Sequence, residues 1–156
     1  MTPMTHEHSV VRLERVIPAP PHTVYRAWLE PDLLRRWMAP SSFEVTRVEI
    51  DERVGGAYRI WQTDAGSDVG GFDCQIVELV PDRRIVFRWG FVGPARDDGP
   101  SYDSLLTVTL DETPGGTTGL SLVHERLDEL ARAIPHVAEN VGPGWNDVLT
   151  KLAATV

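Results

Sequence analysis

Residues 134–156 constrain the fold of this chain more than any other stretch. Apolar side chains recur there at Ile134, Val137, Ala138, Val141, Trp145, Val148, Leu149, Leu152 and Val156. That spacing of i, i+3/i+4 and i+7 lines them on one stripe of a helix. Glu139, Asn146, Asp147, Thr150 and Lys151 fall on the other side. Pro135 stands in the first turn, where a missing N–H costs nothing. Gly142-Pro143-Gly144 predicts a kink, because proline removes one intrahelical hydrogen bond and its ring collides with the preceding turn. A long helix with one apolar stripe must bury it against something, and what lies upstream reads as strands.

Residues 10–17 alternate apolar and polar side chains, as a half-buried strand does. Pro18-Ala-Pro-Pro21 stops that strand, and residues 22–29 read as a short helix with Val24, Ala27 and Trp28 facing inward. Pro31 opens a second short helix over residues 32–38, carrying Leu33, Leu34, Trp37 and Met38. Beyond it the period changes to two, with candidate strands at 43–50, 56–63, 71–80, 84–91, 104–110 and 118–126. The separators are turn-like, among them Val54-Gly-Gly56, Pro81-Asp82 and Thr113-Pro-Gly-Gly116, and most are short enough for hairpins. The exception is the polar loop 93–102, long enough to overhang a pocket mouth. An antiparallel meander of about six to seven strands follows, with two short helices after the first strand. Its physical solution is an α+β fold: one curved sheet with its apolar face wrapped around the C-terminal helix.

Alternation assigns the faces. Ile85, Phe87, Trp89 and Phe91 share one; so do Phe72, Cys74 and Ile76, then Leu106, Val108 and Leu110, then Leu120, Leu122 and His124. Tyr58, Ile60 and Gln62 oppose Arg59 and Trp61, which leaves Trp61 on the face where a tryptophan is not expected.

With 156 residues the chain reads as a single domain over 9–156 behind a polar tail, residues 1–8. The His6/His8 pair in that tail offers two ligands and closes no metal site. The 23 acidic residues outnumber 15 basic ones, for a net charge of -8, which argues against nucleic-acid and anionic-membrane partners. One cysteine excludes an internal disulfide and a cysteine-rich metal centre. The N-terminus lacks the basic and apolar regions of a signal peptide, so a cytoplasmic location is expected. There is no metal-ligand spacing, no nucleophile elbow and no dinucleotide fingerprint, and no cofactor is expected.

Several short motifs, taken in order, carry a resemblance. They are Val16-Ile-Pro-Ala-Pro20 leading into Val24-Tyr-Arg-Ala-Trp28, and Leu33-Leu-Arg-Arg-Trp37 with Pro40 after it. Next come Gly55-Gly-Ala-Tyr58, the pair Ile76-Val-Glu-Leu79 and Arg84-Ile-Val-Phe87, and Gly144-Trp145 followed by Val148-Leu149 and Leu152. Over residues 10–154 the chain resembles the START-like (SRPBCC) helix-grip superfamily, within it the relatives of the C-terminal domain of the activator of heat-shock protein 90 ATPase. Pro143 beside the Gly-Trp pair departs from that pattern. The resemblance implies a cavity between sheet and long helix that holds an apolar or aromatic small molecule, and it brings no general catalytic signature.

The candidate ligand-binding residues are Trp37, Tyr58, Gln62, Trp89, Phe91, His124 and Trp145: an aromatic cage with two polar groups. Each has a plainer reading as core. For His124 the alternatives are a ligand contact or general base and a buried histidine paired with a neighbour. Glu125 cannot form a dyad with it, since adjacent strand residues face opposite ways. Cys74 reads as a small hydrophobe without a base. Binding of a small molecule without catalysis is the leading reading. Two others stay open: an aromatase/cyclase-like enzyme on a polyketide-type substrate, using His124, Tyr102 or Asp103 to move protons, and a protein-interaction module of co-chaperone or stress-response type. A homodimer and a chaperone stand as further candidate partners.

Overall fold

A computed structural model describes residues 10–156; the tail with His6 and His8 lies outside them. The strands are β1 (Val11–Ile17), β2 (Glu44–Ile50), β3 (Ala57–Asp64), β4 (Ser67–Val80), β5 (Arg84–Val92), β6 (Ser101–Thr113) and β7 (Thr117–Glu125). They form one antiparallel sheet in the order β1-β7-β6-β5-β4-β3-β2. Strands β2 to β7 run as a meander and β1 closes beside β7, with Leu13 opposite Leu122 and Ile17 opposite Thr118. The register shifts between Val45 and Arg47, between Gln62 and Thr63, and between Ile76 and Glu78. Each such irregularity bends its strand and adds twist, which is how a flat ladder becomes a curved one.

The helices are α1 (Pro21–Leu29), α2 (Pro31–Leu34), α3 (Asp128–Ala133), α4 (Pro135–Glu139) and α5 (Val141–Thr155). Proline stands at the N-terminus of α1, α2 and α4, the position where its missing donor is tolerated. Arg26 on α1 forks onto both Glu52 oxygens at 2.8 and 2.9 Å and so ties the helix to the β2–β3 turn. Helix α5 packs on β1, while α1 packs on β6 and β7. The inward rows of the sheet meet Val24, Trp28, Leu34 and Trp37 on one side and Trp145, Val148, Leu149 and Leu152 on the other, all buried. The expected helix-grip architecture is therefore the observed one.

Two details differ from expectation, each for a local reason. Residues 32–38 are not one helix: Arg36 and Trp37 donate to the carbonyls three residues back, which tightens the chain after Leu34 and turns Trp37 and Met38 into the core. The C-terminal break falls at Asn140, ahead of the Gly-Pro-Gly run. Pro143 then sits in the first turn of α5, where the N–H groups have no helical partner to lose, and Gly144 N–H already reaches Asn140 O at 2.8 Å. Helix α3 lies between the last candidate strand and residue 134, in sequence that carried no assignment; Leu130 is its buried residue. Trp61 does point outward, and the guanidinium groups of Arg47 (4.7 Å) and Arg96 (4.2 Å) lie over its ring.

Candidate functional site

At the end of the sheet formed by the close of β3 and β5 and the start of β6, sheet and helices stand apart. A hollow of about 730 Å3 lies there. Its sheet side is Gln62, Phe72, Trp89, Phe91 and Tyr102, which the period of two places on one face. Its helix side is Leu130 from α3, Ile134 between α3 and α4, and Val137 from α4, with Val141, Trp145 and Val148 from α5. Met38, Pro40 and Phe43 close one flank, and the loop from Gly93 to Pro100 overhangs the other. The rings of the floor are mutually packed: Phe72 to Trp89 at 4.8 Å, Phe72 to Phe91 at 5.6 Å, Trp89 to Trp145 at 5.5 Å.

Glycine and arginine shape the rim. Gly70 has φ +95° and Gly71 φ +148°, and a Cβ on Gly70 would lie 2.2 Å from Val92 O, so neither position accepts an ordinary side chain. Arg96 reaches back over this stretch and donates to Ile60 O at 2.7 Å and Phe72 O at 3.1 Å, pinning the overhanging loop to β3 and β4. On the opposite rim Lys151 donates to Ala39 O at 2.6 Å and Ser41 O at 2.8 Å, and Asp147 accepts from Ser41 N–H. The polar side of α5 thus clasps the segment after α2.

Of the seven candidate residues, Gln62, Trp89, Phe91 and Trp145 line the hollow, and Trp37, Tyr58 and His124 do not. Trp37 lies edge-on to Trp28 at 4.8 Å and donates its indole N–H to Ala27 O. Tyr58 donates its hydroxyl to Trp28 O at 2.6 Å, and burial pushes its pKa well up. Both belong to the packed interior under α1. Tyr102 is in the wall, whereas Asp103 faces outward and pairs with Arg88 at 2.8 Å, so no proton transfer inside the hollow can use it. Burial also pushes the Cys74 thiol pKa up, which keeps it protonated and inert.

His124 is fully buried behind the wall, with Phe91 stacked on its ring at 5.6 Å. Trp145 Nε1–H donates to His124 Nδ1 at 2.9 Å. An indole nitrogen can only donate, so Nδ1 is bare and the ring proton is on Nε2. That Nε2–H donates to Ser104 Oγ at 2.7 Å, and the Ser104 hydroxyl donates onward to Trp89 O at 2.8 Å. Every donor in the series has an acceptor, and the series joins α5 to β7, β6 and β5. Burial holds the imidazole neutral, its pKa lowered to about 3. With both nitrogens engaged, His124 aligns Trp145; it has no free lone pair for a base's work.

Ser104 was legible in principle, as the one polar residue in the inward row Ser104, Leu106, Val108, Leu110. The contributions of Phe72, Val141 and Val148 follow from face assignment alone. Arg96 carried no sequence signal, because its role depends on where a long loop comes to rest.

The family model described as "Activator of Hsp90 ATPase homolog 1-like protein" matches residues 18–156. The chain is similar to the crystal structure of protein CV1439 from Chromobacterium violaceum, at 38% identity over 95% of this chain and 97% of that one, with a TM-score of 0.79. The AHSA1 protein from Silicibacter pomeroyi shares 21% identity over 94% and 96% of the two chains at a TM-score of 0.73. CalU16 from Micromonospora echinospora shares 24% over 92% of this chain and 71% of that one at 0.64. These last two speak for the fold alone. No curated protein matches the chain.

Proposed function

The chain belongs to the activator of Hsp90 ATPase homolog 1-like family, and from that premise we propose that it binds an apolar or aromatic small molecule between sheet and helices. The family's fold is one that generally serves ligand binding or cyclase-like proteins, so the choice within it has to come from the residues. The observation that carries the reading is the hollow of about 730 Å3 whose walls are aromatic and aliphatic with a few polar groups. That is the size and chemistry of a small-molecule site. Trp89, Phe91 and Trp145 would supply ring faces and Gln62 a polar contact; Trp37, Tyr58 and His124 would support that wall from behind. Catalysis gains nothing from His124, whose nitrogens are both committed.

Native mass spectrometry of freshly purified protein, with extraction of whatever co-purifies, tests this. A stoichiometric apolar compound that is lost from Val148→Phe, where the added ring intrudes on the hollow, is the expected result. A clean protein mass with no thermal shift across a panel of aromatic compounds would contradict it and bring a protein partner, a chaperone included, to the front. No helix among the described residues is long and apolar enough to cross a membrane.

A further inference from the structure

We propose that the ligand of this hollow is an uncharged molecule with an apolar body and one hydrogen-bond donor, which Gln62 Oε1 accepts. The inference rests on the binding reading above and adds to it the ligand's charge and its polar mark.

Gln62 is 4% exposed and stands in the wall. Its Nε2 donates to Met38 O at 2.9 Å. A backbone carbonyl can only accept, so the amide must turn its NH2 toward Met38, and this fixes which way Oε1 points. Among the described residues nothing donates to that oxygen. The fully buried side-chain polar atoms without a partner are Trp28 Nε1 and Arg59 Nε. Oε1 is not one of them, so it stays accessible, on a side chain that lines the hollow. An apolar ligand sliding over it would strip its hydration and return no hydrogen bond, which is unfavourable. A ligand hydroxyl or N–H placed there restores the bond. The other polar side chains of the wall (Ser41, Tyr102, His136, Asn140 and Asp147) are half-buried or exposed and sit where water can serve them.

Charge narrows the class further. No lysine or arginine lines the hollow. The two cations that border it are committed: Lys151 to Ala39 O and Ser41 O, Arg96 to Ile60 O and Phe72 O. The wall's carboxylate, Asp147, is held by Ser41 N–H and lies 3.7 Å from Lys151 Nζ. A ligand carboxylate would find no lysine or arginine in the wall with donors free to pair with it, in a protein already at -8. A ligand ammonium would find its only carboxylate spoken for. A neutral phenol, alcohol or N–H heterocycle fits.

Calorimetric titration with three matched probes tests this: 4-phenylphenol, 4-methoxybiphenyl and biphenyl-4-carboxylate. In the wild-type protein 4-phenylphenol should bind about fivefold more tightly than its methyl ether, the ordinary yield of one neutral hydrogen bond. The carboxylate should bind at least about tenfold more weakly than the phenol. Gln62→Met should bring the Kd values of phenol and ether together. Equal affinities for phenol and ether in the wild type, or a carboxylate that binds best, would overturn the inference. Should Gln62→Met fail to fold, the wild-type ratio decides alone. If the ether binds without any gain from the hydroxyl, only this inference falls. If neither neutral probe binds, the binding reading falls and takes this one with it.

Discussion

The interior has two halves built from the same sheet face, and they end differently. Beneath α1 and α2 the space is full: Trp28 meets Trp37 at 4.8 Å, Tyr58 meets Phe87 at 4.6 Å, and these rings are essentially inaccessible. Beneath α4 and the start of α5 the inward rings are as large, yet a space remains in front of them. Trp145 is the joint, 6.0 Å from Trp28 on one side and 5.5 Å from Trp89 on the other. The difference lies in what faces the sheet. The full half is plugged by α1, α2 and the turn after α2, which present Trp28, Leu29, Leu34 and Trp37. The other half is faced by Leu130, Ile134, Val137, Val141 and Val148, by Pro143 and Gly144, and by a loop of Pro94, Ala95, Gly99 and Pro100, and this surface stands off from the floor. Packing density is a property of the opposing surface as much as of the strands.

That contrast can be broken by substitution, and the packed half should be the costlier place to cut. Trp28→Ala removes a ring from the full half and should cost about 4 kcal/mol in urea unfolding. A loss below about 2 kcal/mol would mean that half is looser than its ring contacts imply. Next comes the rim. Gly70→Ala places a methyl group on a backbone with φ +95° against Val92 O, and about 3 kcal/mol of destabilisation is expected from the strain and displacement.

Acid should act through His124. Its folded pKa, about 3, lies below the usual 6.5, so the unfolded chain takes up the proton first. The stabilising contribution is present above pH 6.5 and is lost as pH falls toward 3, reaching about 2 kcal/mol of loss by pH 5. His124→Gln removes that titration, so its stability should fall less steeply than wild type between pH 6.5 and 4. Parallel profiles would show that His124 is not the group responsible. The smallest effect on stability belongs to the hollow itself. Val148→Phe should shift stability by about 1 kcal/mol or less while weakening any apolar ligand at least about tenfold, because the new ring occupies empty space rather than packed core. A thermal shift assay with and without probe separates the two readouts.

The packed half was the more legible in the sequence. Period-two alternation put Phe87 and Cys74 inward, and Tyr58 with them at the cost of an outward Trp61, and the apolar stripe of the last helix was visible residue by residue. The hollow was harder to read, since a void is a relation between elements distant along the chain. Aromatic residues of both halves look alike locally, so Trp37 and Tyr58 were grouped with Trp89 and Trp145; only the position of α1 and α2 separates them. His124 was placed inward by alternation. Its commitment to Trp145 and Ser104, from α5 and β6, came from tertiary geometry. The break at Asn140 shows the same limit: Pro143 marked the region of the kink, and the helix used it as part of a new first turn.

Five tryptophans divide among these regions, two in the packed half, two around the hollow and Trp61 outside. Their indole N–H resonances in a 15N-labelled sample therefore report each region separately. The most direct measurement is a titration of that spectrum with 4-phenylphenol. Saturable shifts of Trp89 and Trp145, with Trp28, Trp37 and Trp61 unmoved or displaced far less, are the predicted result. A spectrum that stays unchanged at saturating probe, or shifts confined to Trp61, would contradict the account of the hollow as a binding site.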